Sequence, residues 1–147
     1  MEDTPRSYIT ATASGHVTRT QILDPGDSSP WGEIDNVEQF KHNGLTIPLY
    51  FVTTSSHGGY MIQTGLFERL GLAEEIAHLN TFGGTHYNNQ GIFYCFEEDC
   101  EWSLLVCELF RLGFGRLFNA LGANETLLPL AKGCCRTHYP EYYNLYW

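Results

Sequence analysis

Two polar clusters hold the residues of this chain best suited to chemistry. The first, Thr53-Thr54-Ser55-Ser56-His57-Gly58-Gly59, follows an apolar run. Paired glycines allow positive φ and close backbone approach, so a turn there could expose N–H groups to an oxyanion or hold His57 over a cleft. A plain hairpin turn through Gly58-Gly59 is the simpler expectation. The second cluster, Glu97-Glu98-Asp99-Cys100-Glu101-Trp102, falls where a buried strand ends and a helix begins. Carboxylates near a helix N-terminus gain roughly 0.3–1 kcal/mol each from the dipole when exposed. Glu97 extends the buried strand, however, so its carboxylate must be paired, protonated or part of a site.

If His57 faces Glu97, Glu98 or Asp99 across the sheet end, the set could act as a general base with an orienting carboxylate, or as ligands of a divalent metal. Spacing specifies neither role. The chain has no zincin helix, P-loop, Gly-x-Ser-x-Gly elbow or dinucleotide fingerprint. Cys100 beside His57 is a poor nucleophile, because the surrounding carboxylates raise a thiol pKa and oppose the thiolate.

The five cysteines are an odd number, and in a reducing compartment all stay as thiols. Cys95 and Cys107 read as core residues. Cys134-Cys135 with His138 resembles half of a zinc site, but Cys95 and Cys100 are not spaced as the usual second half. No metal and no cofactor are therefore expected. The last ten residues carry Tyr139, Tyr142, Tyr143, Tyr146 and Trp147, types favoured at interface cores. The competing expectation is an aromatic tail, 138–147, that docks back on its own domain.

These residues need elements to position them. A strand around Ile34, Val37 and Phe40, the turn signal His42-Asn43-Gly44 and the longer strand LTIPLYFVTTSS lead to a reversal at His57-Gly58-Gly59 into YMIQ, a three-stranded meander. Pro48 should sit at an edge or a bulge, where no N–H is needed. Thr64 to Leu79 has broadly helical spacing interrupted by Gly71, which predicts two short helices or a bent one. Gly83-Gly84 to Gly91 reads as a loop. Ile92 to Phe96, apolar on both faces, reads as a buried central strand.

From Asp99, a plausible N-cap, Trp102, Leu105, Val106, Leu109 and Phe110 form an amphipathic stripe with Trp102 its first buried residue. Gly113 and Gly115 end this helix, Arg116 to Leu121 suits a short one, and Asn124-Glu125-Thr126 opens another through LLPLAK. Residues 1–30 read as a flexible or hairpin segment, with a hairpin at Ser14-Gly15-His16 and a loop at Asp24 to Pro30. The expected fold is α+β: one domain over 1–147, with a small antiparallel sheet, the meander plus a central strand, packed against several helices.

A length of 147 residues with 43% hydrophobic content supplies one core without staples. Eight Lys and Arg against seventeen Asp and Glu give a net charge of −9, which repels nucleic-acid backbones and anionic membranes. Direct nucleic-acid binding is thus not expected, although the acidity suits docking on the basic surface of a nucleic-acid-handling protein. The sequence has no span of roughly 20 apolar residues and no signal-peptide pattern at its start, so the expected location is the cytoplasm, away from the membrane.

Trp31-Gly32, Ser56-His57-Gly58-Gly59 and Glu97-Glu98-Asp99-Cys100-Glu101-Trp102 together resemble an uncharacterised domain family of bacteriophages, plasmids and integrative elements, over roughly residues 31 to 110. Cys95-Phe96 departs from the aromatic pair expected there. The resemblance implies a mobile-element origin and no biochemical activity. With the acidity and the aromatic tail, it leads to the expectation of an accessory protein in the host bacterial cell that inhibits a defence system, of anti-CRISPR or antirestriction type, by binding a host defence protein. The alternatives are a small hydrolase or metal-dependent enzyme using His57 with Glu97, Glu98 or Asp99, and a homodimeric structural protein.

Overall fold

A computed structural model describes residues 22–118 and 123–147. The hairpin expected at Ser14-Gly15-His16 lies outside the described residues. Asp24 and Asp27 close the first turn of the described residues: the Asp24 N–H donates to Asp27 Oδ2 at 2.8 Å, and the Asp27 N–H to the Asp24 carbonyl at 3.1 Å. A two-stranded hairpin follows, β1 (Ser28–Ser29) and β2 (Gly32–Glu33). Leu23 and Ile34 on either side of it are both buried, so residues 22–34 are an integral layer of the fold.

Asn43 and Gly44, at φ 54° and 81°, make the expected left-handed two-residue turn. It joins β3 (Asn36–His42) to β4 (Leu45–Thr53). With β5 (Gly58–Gln63) these strands form the antiparallel meander. Pro48 lies where the β3–β4 register shifts and before the β4–β5 pairing begins at Leu49, so its missing N–H removes no ladder bond. Gln39 Nε2 donates to the Ile47 carbonyl at 3.2 Å and satisfies the irregular stretch.

Two short helices follow, α1 (Thr64–Leu70) and α2 (Ile76–Leu79), with Gly71 as a left-handed cap between them (φ 75°). The polar stretch read as a loop is instead largely a strand. β6 (Gly84–Asn88) pairs with β7 (Gly91–Glu97), and the strand order is β3-β4-β5-β7-β6. As an edge strand, β6 alternates half-buried and exposed residues, so a polar composition does not prevent pairing.

Helix α3 (Trp102–Arg111) departs from the expected one-sided stripe, because every residue from Ser103 to Leu109 is buried. The sheet covers one side of it, and α4 (Leu128–His138) packs on the other. A 3-10 turn over Gly115–Leu117 and a π-helical turn over Ala123–Leu127 stand between α3 and α4, and α5 (Pro140–Tyr146) ends the chain. The fold is α+β. Tyr60, Ile62 and Phe96 face the helices, whereas Tyr50, Val52, Met61, Phe93 and Cys95 pack on the opposite sheet face beneath Leu23 and Ile34. Among the described residues, no helix is long and apolar enough to cross a membrane.

Candidate functional site

The two polar clusters meet at one end of the sheet. The turn there is Thr54–His57 rather than His57-Gly58-Gly59: the Thr54 N–H donates to the His57 carbonyl at 2.8 Å, and Thr54 Oγ1 accepts the His57 N–H at 3.1 Å. Gly58 and Gly59 belong to β5, are buried and are not in the positive-φ region. They are needed for close approach. A Cβ at Gly58 would stand 2.5 Å from the Val52 carbonyl oxygen; one at Gly59 would stand 2.3 Å from that of Phe96 and 2.7 Å from Trp31 Cη2. The Trp31 carbonyl lies 3.3 Å from Thr54 Oγ1 and 3.5 Å from Ser56 Oγ. Trp31, Ser56 and Gly59 therefore form one packing unit, and the glycines offer no oxyanion turn.

The acidic motif divides three ways. Glu98 faces His57, with Oε2 at 3.8 Å from Nδ1 and side chains 39% and 57% exposed. The Glu98 N–H donates to the Gly58 carbonyl at 2.9 Å. Asp99 lines a cavity against α4 with Trp102, Cys134 and His138. Glu97 and Glu101 turn inward. His57 is thus brought to Glu98, while the Glu97 carboxylate is occupied elsewhere. Trp102, expected to be buried, is half-exposed at the edge of that cavity.

The buried Glu97 carboxylate accepts the N–H groups of Asp99 (2.8 Å), Cys100 (2.7 Å) and Glu101 (3.0 Å). Burial pushes its pKa up, but these three donors outweigh burial and hold it below the ordinary value. Glu97 thereby satisfies donors of the turn leading into α3, the capping role expected of Asp99. Glu101, fully buried, accepts the N–H groups of Phe82 at 2.6 Å, Gly83 at 2.9 Å and Glu97 at 3.2 Å. Burial dominates there and raises its pKa. Both carboxylates hold backbone together.

A third buried acid escaped the sequence reading. Glu108 binds the Ala73 N–H at 2.6 Å, Arg111 through two bonds at 3.0 and 2.6 Å, and the Tyr142 hydroxyl at 2.7 Å. A lone acid inside LLVCELF was the available signal, since a carboxylate in an apolar helix needs partners. Tyr142 is buried; Tyr146 donates to Glu75 at 2.8 Å and carries the Arg111 guanidinium over its ring at 4.5 Å. Arg136 lies over Tyr143, and Lys132 over Trp147 at 4.7 Å. Tyr139, Tyr143 and Tyr146 are half-buried against the main core. The aromatic tail is helix α5, docked on its own domain.

Docking of α5 leaves a groove of about 550 Å³ against α2, lined by Glu75, Leu79, His138, Tyr139, Glu141 and Leu145 among others. Leu79 is 36% exposed and Leu145 68%. One turn before His138 on α4, the vicinal cysteines part. Cys135 turns into the core to hydrogen-bond with Cys107. Cys134 points toward Cys100, and Cys100, Cys134 and His138 have ligand atoms all within 4.8 Å of one another. The Cys100 thiol pKa is raised, by burial first and then by Cys134, Glu97 and Asp99, which disfavours a free thiolate nucleophile.

The molecule is thus an α+β domain whose motif residues build a strand-to-helix junction. It belongs to an uncharacterised family, the domain of unknown function DUF7007, whose model matches residues 24–146. No curated protein and no solved structure matches the chain.

Proposed function

We propose that this protein acts by binding another protein, and that the apolar groove between α2 and α5 is the contact surface. The carrying observation is the pair Leu79 and Leu145, both exposed beside a mainly apolar cavity of about 550 Å³. Such surface is usually kept for a partner. Glu75 and Glu141 at the groove and the net charge of −9 favour a partner segment that combines apolar anchors with basic residues. The engagement of both Glu97 oxygens with backbone N–H groups argues against Glu97 as the carboxylate that orients His57.

Within that reading, the partner is a protein component of a host defence system. The protein is an accessory factor of a mobile element, acting in the host cytoplasm on a basic, nucleic-acid-handling surface. Motif resemblance and acidity support this finer assignment. The experiment is capture of candidate defence proteins on immobilised wild type and on Leu145→Asp and Leu79→Asp, with folding checked by circular dichroism. Specific capture that both substitutions weaken at least ~10-fold supports the groove. Capture indifferent to both refutes it. Light scattering at several concentrations identifies the homodimer alternative, in which a second copy occupies the groove.

A further inference from the structure

The half-site visible in the sequence, Cys134 with His138, is completed in space by a residue 34 positions away. Cys134 and His138 are one turn apart on α4 and so project from the same face. Cys100, in the junction before α3, faces them, and the three ligand atoms lie within 4.8 Å of one another. Cys134 Sγ is 3.7 Å from the Cys100 carbonyl, which also accepts from Ser103 Oγ at 2.7 Å, so the Cys100 backbone is fixed beside α4. Ligands around a tetrahedral zinc ion, at ~2.3 Å for sulfur and ~2.0–2.1 Å for nitrogen, stand roughly 3.5–3.8 Å apart. Closing from the observed spacing needs a movement of about 1 Å, within reach of the exposed His138 side chain.

We propose that Cys100, Cys134 and His138 form a zinc site. Two thiolates and an imidazole suit a borderline-soft ion and select against magnesium and calcium. Each thiol gives up its proton to solvent as its sulfur bonds the ion, so binding one Zn²⁺ releases two protons and no electrons move. The fourth position faces the cavity of about 390 Å³ that Cys134 and His138 line together with Asp99, where water or the Asp99 carboxylate completes the tetrahedron. The ion ties the end of α4 to the junction before α3. The site stands independently of the groove's role.

The test uses the full chain, reduced and stripped with a chelator, then titrated with zinc against a chromophoric competitor and with cobalt as a spectroscopic probe. The expected result is one ion per chain, a thiolate-to-cobalt charge-transfer band with the visible bands of tetrahedral cobalt, and a rise in Tm with zinc. His138→Ala and Cys134→Ser should each weaken binding at least ~10-fold, and His57→Ala should not. Exposed His138 keeps the test valid if a cysteine variant fails to fold. The proposal is overturned by binding that His138→Ala leaves unchanged, by a cobalt spectrum without the charge-transfer band, or by no saturable binding in the reduced wild type.

Discussion

The Trp31 ring rests on Gly59, leaving no room for a side chain on the strand: a Cβ there would lie 2.7 Å from Trp31 Cη2 and 2.3 Å from the Phe96 carbonyl oxygen. The tryptophan that covers the second sheet face and the glycine of β5 are therefore mutually dependent. Neither Phe96 nor its ladder can retreat without breaking the β5–β7 pairing. Gly59→Ala is expected to destabilise the protein by about 1–3 kcal/mol, the usual cost of overpacking. Urea unfolding measures it, and a change below ~0.5 kcal/mol would show that the contact relaxes easily.

Glu97 and Glu101 respond to acid in opposite directions. Glu97 is held below the ordinary carboxyl value of 4.5, so its contribution is complete above that pH and is lost as pH falls through its folded value. Glu101 is raised above 4.5, so its charge costs stability at neutral pH, and that cost disappears as pH falls from its folded value towards 4.5. Tm should hold or rise slightly on mild acidification and fall below about 4.5. Glu97→Gln should flatten the acid limb and cost about 1–3 kcal/mol at neutral pH, because an amide cannot accept all three N–H groups. An unchanged acid limb in that variant would contradict the assignment.

Tyr142 anchors α5 through its bond to the buried Glu108. Tyr142→Phe should cost about 1.5–3 kcal/mol, the range for a hydrogen bond to a charged group. Truncation after Thr137 removes the tyrosine altogether and leaves Glu108 with only its Arg111 and Ala73 partners, so it should lower Tm by more than the point variant does. Differential scanning fluorimetry ranks the two, and a truncated chain as stable as wild type would show that α5 is dispensable.

His57 and Glu98, both well exposed and 3.8 Å apart, form a weak surface pair. His57→Ala should change stability by no more than about 1 kcal/mol. A larger loss in thermal unfolding would mean that the ring is held more firmly than its exposure indicates.

Strong local signals made the meander legible: Asn43-Gly44 could only be a tight turn, and Pro48 marked its own irregularity. β6 was obscured because an edge strand needs only one apolar face, and Gly84 to Asn88 carries little apolar character. Gly58-Gly59 was misread because positive φ and close approach both demand glycine, and sequence alone does not distinguish them. The α3 periodicity hid a second covered side, since Glu108 is a polar residue two of whose partners, Ala73 and Tyr142, arrive from distant elements. The candidate metal ligands were half visible: Cys134 and His138 have helical spacing, but only the packing of α3 on α4 shows that Cys100, and not Cys135, completes the group.

The most direct measurement of the central claim is phage plating on a host with an active defence, with wild type, Leu145→Asp and His57→Ala expressed to equal levels and each shown folded by circular dichroism. The proposed binding of a host defence protein through the groove predicts that wild type restores plating, that Leu145→Asp loses at least ~10-fold of that effect because a charge enters an apolar contact, and that His57→Ala retains most of it. Full protection by Leu145→Asp with loss in His57→Ala, or no protection by wild type against any defence tested, would contradict the account.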